Sequence, residues 1–150
     1  MDIKPGDIIL TTQSEPISWM IRWNLHGPWS HAMTVINWPW CISADAQGVT
    51  LRQPHPAEMK KYAVLTHPGI SDGDRDVIVS FCKLLEGKKY DYLGLFLYGI
   101  QQDPNRWYCS EIPFEAYRHV GKLLVARAEY VHPMDLWHSL ALEVVESMGI

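Results

Sequence analysis

Hydrophobic and polar positions along this chain change period several times, and the changes mark its elements. After the turn at Pro5-Gly6, Asp7 to Thr12 alternates briefly and reads as a strand. Ser14 is a candidate N-cap with Pro16 in the first turn; Ile17, Met20, Ile21 and Leu25 then recur at helical spacing. That pattern predicts a helix through about Asn24, broken by Gly27-Pro28. His31 to Asn37 has the period of a strand, with His31, Met33 and Val35 on one face and Ala32, Thr34 and Ile36 on the other. Trp38-Pro39 is a tight connection to a strand from Trp40 to Ala46, and Gln47-Gly48 turns that strand into another from Val49 to Arg52. The three form an antiparallel meander. Pro54-His55-Pro56 is loop, and Lys61 to Thr66 is a further strand.

Beyond His67-Pro68-Gly69 the period becomes helical. Asp72 or Asp74 is expected to cap a helix through about Leu85, with Val77, Ile78, Phe81, Leu84 and Leu85 on one face and Cys82 beside it. Gly87 ends it. Tyr90 to Gly94 leads into a short apolar helix, and Gln101 to Asn105 is a polar loop. A helix follows from Cys109 or Ser110 and closes at Gly121; Lys122 to Ala126 reads as a strand, His132 to about Ser139 as a short helix, and Leu142 to Glu146 as a last strand. The order predicts an α+β fold, with helices packed on an antiparallel sheet.

Composition narrows the functional classes. The chain has 150 residues, of which 47% are hydrophobic, enough for one domain over residues 1–150 with a real core. Its net charge of −4, with no basic run and no glycine-rich phosphate loop, argues against a nucleic-acid partner. Cys41, Cys82 and Cys109 are an odd, widely spaced set that fits reduced thiols better than a disulfide framework or a zinc site. No HExxH-like spacing occurs, so neither metal nor cofactor is expected. Leu93 to Ile100 is too short to span a bilayer, and the first residues carry no signal core. A cytoplasmic site fits, as does delivery without a signal peptide, by a phage or by lysis.

Candidate chemistry centres on Arg106 to Tyr117. Pro113 belongs in a helical first turn, which puts Cys109 at the helix mouth. There unpaired N–H groups and the helix dipole favour a thiolate and can hold an oxyanion. A buried, purely packing cysteine is the competing reading. A cysteine nucleophile needs an imidazole, and the imidazole needs a polar group to orient it. Of seven histidines, His31 has a rigid strand beneath it; His26, His55, His67, His119, His132 and His138 lie by breakers or late in helices. Asp45, with Ser43 as alternate, shares a face of the next strand and is the candidate third residue. Asp45 also suits a turn before Gln47-Gly48.

The ordered set Pro5-Gly6-Asp7-Ile8-Ile9-Leu10-Thr11, Ser30-His31-Ala32, Ala44 with Gly48-Val49, Tyr90-Asp91, Trp107-Tyr108-Cys109-Ser110-Glu111 and Pro133-Met134-Asp135-Leu136 resembles one family. It is the circularly permuted branch of the NlpC-type papain-like cysteine hydrolases, the YiiX/YebB-like proteins, with lecithin retinol acyltransferase-like cousins. Histidine precedes cysteine, which is the permuted order. The resemblance implies a papain-like antiparallel sheet or small barrel packed against helices. It implies Cys109 as nucleophile, His31 as general base and an acyl-bond substrate, an amide in a peptide foremost, with bacterial cell-wall peptides or acyl lipids as possible sources. A catalytically silent binding module on the same fold is the other alternative. Tyr90 and Tyr108 are family-motif candidates for a second oxyanion donor. The family commonly has glutamate where this chain has Ser43, and that departure leaves the third position open between Asp45, Ser43 and a plain dyad.

Overall fold

The structure is a computed structural model that describes residues 2–12, 27–90, 106–126 and 131–150. The helix expected at 14–24, the apolar helix near 93–100, the loop at 101–105 and His26 lie outside the described residues.

Strands β1 (Ile8–Thr11), β2 (His31–Asn37), β3 (Trp40–Asp45), β4 (Gly48–Arg52) and β5 (Tyr62–Thr66) form where the alternation predicts them. With β8 (Glu143–Met148) they make one six-stranded sheet in the order β4-β3-β2-β1-β5-β8. Every neighbouring pair is antiparallel. The order runs from one edge to the other without closing, so among the described residues the sheet is open and the barrel alternative does not hold. Between β5 and β8 the chain runs through α1 (Asp72–Leu84), β6 (Lys89–Tyr90), β7 (Arg106–Trp107), α2 (Glu111–Arg118) and α3 (Pro133–Trp137). The fold is α+β.

Period-two alternation splits the strands between two cores. Ile8, Leu10, Ala32, Ile42, Ala44 and Leu65 pack with the helices. Ile9, Met33, Val35, Cys41, Tyr62 and Val64 form a smaller cluster on the other face, joined by Ile3, Trp38 and Met59. A shift of one position would exchange the two sets. Gly48 makes the β3–β4 turn possible: its φ is +98°, and a Cβ there would stand 2.6 Å from the Lys88 carbonyl oxygen.

The helix α1 differs from expectation in two details. Its N-cap is Ser71, whose hydroxyl accepts from Asp74 N at 3.1 Å, while Asp74 accepts from Ser71 N at 3.0 Å. Ser71 has the extended backbone that a cap requires, and Asp72 is already helical. The buried stripe runs through Ile78, Cys82 and Leu85, whereas Val77 is 46% and Leu84 77% exposed. Spacing of four and three places Cys82 within the stripe, so it serves as a small hydrophobe.

Residues 122–126 form no strand. Gly121, at φ +74°, turns the chain, and the Leu124 carbonyl accepts from the Ser139 hydroxyl at 2.5 Å. A strand needs a neighbouring ladder, and the sheet edge beside β5 is taken by β8. The short parallel pair of β6 with β7, Lys89 opposite Arg106 and Tyr90 opposite Trp107, was not foreseen from the sequence. It brings the chain to Cys109.

Candidate active site

Cys109 directly precedes Ser110, the N-cap of α2, with Pro113 in the first turn. The helix is seated from its far end: the Tyr117 hydroxyl donates to the Gly6 carbonyl at 2.8 Å. Ser110 donates its hydroxyl to the Val131 carbonyl, tying the helix mouth to the segment before α3. Cys109 is 1% exposed and belongs to the helix-side core. Burial pushes its thiol up to about 12, although the backbone N–H groups of Ala32 and Ser110 favour the thiolate. Burial likewise pushes Cys41 and Cys82 up to about 12.

His31 opens β2 opposite Thr11 of β1 and is buried. Its Nε2 lies 2.5 Å from Ser43 Oγ and 3.4 Å from Arg52 Nη2. Arg52 forks onto Glu58, with Nη1 and Nη2 each 2.8 Å from a carboxylate oxygen. Glu58, in the 3₁₀ turn Glu58–Lys60, also accepts from His55 N at 2.6 Å. Burial and then the Arg52 charge lower His31 to about 3, with Glu58 opposing in part. Burial alone would raise Glu58, but its bonds to Arg52 hold it at about 2.

Ser43 rather than Asp45 is hydrogen-bonded to the imidazole. Asp45 Oδ1 accepts from Gln47 N at 2.9 Å in the turn, and Oδ2 stands 3.8 Å from Arg52 Nε. Cys109 meets the backbone of β2 at Ala32, next to His31, but no hydrogen bond joins the two side chains among the described residues. The Tyr90 and Tyr108 rings meet at a tilt of 57° with centroids 5.9 Å apart, and Tyr108 meets the His132 ring edge-on at 6.1 Å.

Two features escaped the sequence reading. The Arg52–Glu58 pair was hidden because Glu58 follows a proline-rich loop whose path is not periodic. Only the parity of Arg52 with Cys41 and Ser43 hinted at it. His132, set aside for lack of a rigid support, is buried at the N-cap of α3, and its N–H donates to Asp135 at 2.8 Å. The pattern Pro-x-Asp after it is the signal that could have marked it.

The fold defines the class: an α+β protein with an open antiparallel sheet packed against helices. No family model and no curated protein matches the sequence. Among solved structures the chain is similar to the crystal structure of metalloprotein YiiX from Escherichia coli O157:H7 (DUF1105). The TM-score is 0.79 at 18% sequence identity, and the match covers 100% of both chains. Likeness at that identity is likeness of fold. The word metalloprotein belongs to that relative. Among the described residues of this chain, no group of three or more His, Cys, Asp or Glu side chains converges on a point where a metal ion could be held. Nor is any described helix long and apolar enough to cross a membrane.

Proposed function

We propose that the protein is a cysteine hydrolase acting on an acyl bond, foremost an amide, with Cys109 as nucleophile and His31 as general base. The observation that carries this reading is the seat of Cys109. The thiol stands at the mouth of α2, met by the N–H groups of Ser110 and Ala32, and Ala32 adjoins His31 on β2. The burial-set protonation favours a resting pair of thiol and neutral imidazole over an ion pair. His31, whose imidazole lies on the other face of β2, would take the thiol proton by way of a bridging water as the sulfur attacks the carbonyl carbon. The oxyanion would be held by the Cys109 N–H and a second donor. The imidazolium then protonates the departing amine, leaving a thioacyl enzyme. Water adds with its proton passing to His31, and the carboxylic acid departs as the thiol is restored. Peptides of bacterial cell walls and acyl lipids remain the two substrate classes to screen, the latter by transfer or thioester cleavage.

A catalytically silent binding module is the second reading. It is favoured by Ser43 where the resembling family commonly carries glutamate and by the Arg52 cation 3.4 Å from the imidazole. A brief, limiting iodoacetamide pulse with site mapping separates the two. Cys41, Cys82 and Cys109 are all buried and raised alike, so burial alone predicts equal, slow labelling. The hydrolase reading expects Cys109 to react at least about tenfold faster than the others, and His31→Ala to remove that advantage. Labelling indifferent to His31 would favour the silent module.

A further inference from the structure

We propose that the Arg52–Glu58 ion pair is a positioning device for His31, with Glu58 clamping Arg52 and Arg52 keeping Nε2 of the imidazole a bare acceptor. The inference rests on the proposed role of His31 for its consequence, not for its geometry. A guanidinium has five N–H donors and no acceptor. At 3.4 Å from Nε2, Arg52 Nη2 is compatible with a ring whose proton is on Nδ1, and faces N–H against N–H if the proton is on Nε2. The Ser43 hydroxyl, on the same nitrogen, can donate or accept and so adapts to whichever form Arg52 selects.

The clamp is well built. Both terminal nitrogens of Arg52 are bonded to Glu58, and a third donor, His55 N, holds the carboxylate. The Arg52 and Glu58 side chains are 22% and 7% exposed, so the pair is largely shielded from solvent screening. Other titratable groups on this face are Cys41 and Asp45 on β3, Tyr62 on β5 and Glu146 on β8, which accepts from the Tyr62 hydroxyl. From the helix side Cys109 meets β2 at Ala32, and Glu111 acts on Cys109. The charges that act on the imidazole are those of Arg52 and, with opposite sign, Glu58.

For the proposed reaction the consequence lies in which ring nitrogen is bare. His31 must accept the Cys109 proton on a ring nitrogen. A cation at Nε2 disfavours the imidazolium and leaves Nε2, turned toward Ser43, as the bare nitrogen. Displacing Arg52 lets the ring move its proton and charge. The pair thus holds the site in its neutral, resting form.

The test is ¹H–¹⁵N correlation of the histidine rings in wild-type protein, Arg52→Met and Arg52→Met/Glu58→Gln. Arg52→Met leaves the Glu58 charge alone, and the double variant removes both charges together as its control. We expect wild-type His31 to show a bare Nε2 and a protonated Nδ1. Both variants should populate the other tautomer, and the His31 protonation midpoint should rise by about one unit or more. The His119 and His138 signals should stay in place as a check on the fold. A wild-type ring with its proton on Nε2, or a titration that is the same in all three proteins, overturns the proposal. The same samples, pulsed with iodoacetamide, separate this inference from the hydrolase reading. Altered His31 signals support the positioning role whatever Cys109 does, and labelling of Cys109 that ignores His31 counts against the hydrolase alone.

Discussion

On the helix-covered face of the sheet Cys109 sits among Ala32, Ile112 and Phe114, and the backbone N–H groups that meet its sulfur carry no net charge. On the opposite face His31 sits beside a hydroxyl, a guanidinium and a carboxylate, all from side chains. Burial drives both groups to their neutral forms, the thiol up to about 12 and the imidazole down to about 3. The influences next in size after burial differ in sign. N–H groups at Cys109 work toward the charged form, whereas Arg52 at His31 works against it. Two groups on the two faces of one strand can therefore be tuned separately: packing and helix geometry set the Cys109 thiol, and an ion pair sets the His31 imidazole.

The largest expected effect lies on the helix face. Phe114→Ala removes a ring that is 2% exposed in the core between sheet and helices, and should cost about 4 kcal/mol. A urea midpoint that barely moves would mean that α2, and with it the seat of Cys109, is not held by this core. On the other face, Glu58→Ala should cost about 3 kcal/mol at neutral pH, because it strands the Arg52 charge. The Glu58 carboxyl is depressed from its usual value of 4.5 to about 2. Its contribution is accordingly full above pH 4.5 and lost as pH falls toward 2, and the variant should show a flatter acid limb in unfolding measured across that range. A cost near zero would show Arg52 already bathed in water and the contrast between faces overstated.

The smallest effect at neutral pH is that of His31→Gln, about 1 kcal/mol for the lost bond to Ser43. Its informative feature is the slope. The folded imidazole protonates at about 3 against an ordinary value of 6.5. Neutral His31 thus contributes stability that is complete above pH 6.5 and lost as pH falls toward 3. The variant should lack that part of the pH dependence. An unchanged slope would place His31 in a solvated setting and remove the electrostatic difference between the two faces.

Much of the sheet was legible because its strands alternate. His31, Met33 and Val35 were separable from Ala32, Thr34 and Ile36, and the structure sends the two sets to different cores. Pro113 in a first turn likewise located the mouth of α2, since proline tolerates few helical positions. The N-cap at Ser71 and the bounds of the buried stripe, which takes in Cys82 and leaves out Val77 and Leu84, were misread by a position or two, as expected where several short polar residues compete for a cap or neighbouring stripes are both apolar. Residues 122–126 were read as a strand because local composition does not reveal whether a partner edge is free.

By itself, the sequence determined the period of each segment and hence which residues share a face, the cysteine placed at a helix mouth, and the resemblance carried by short motifs in permuted order. Tertiary structure decided that Ser43 and not Asp45 meets the imidazole, because the local turn occupies Asp45 while the β2–β3 register brings Ser43 within reach. It also decided that Arg52 and Glu58 stand beside His31. An ion pair between a strand end and a 3₁₀ turn depends on the path of a non-periodic loop, and no pattern of hydrophobic and polar positions encodes such a path.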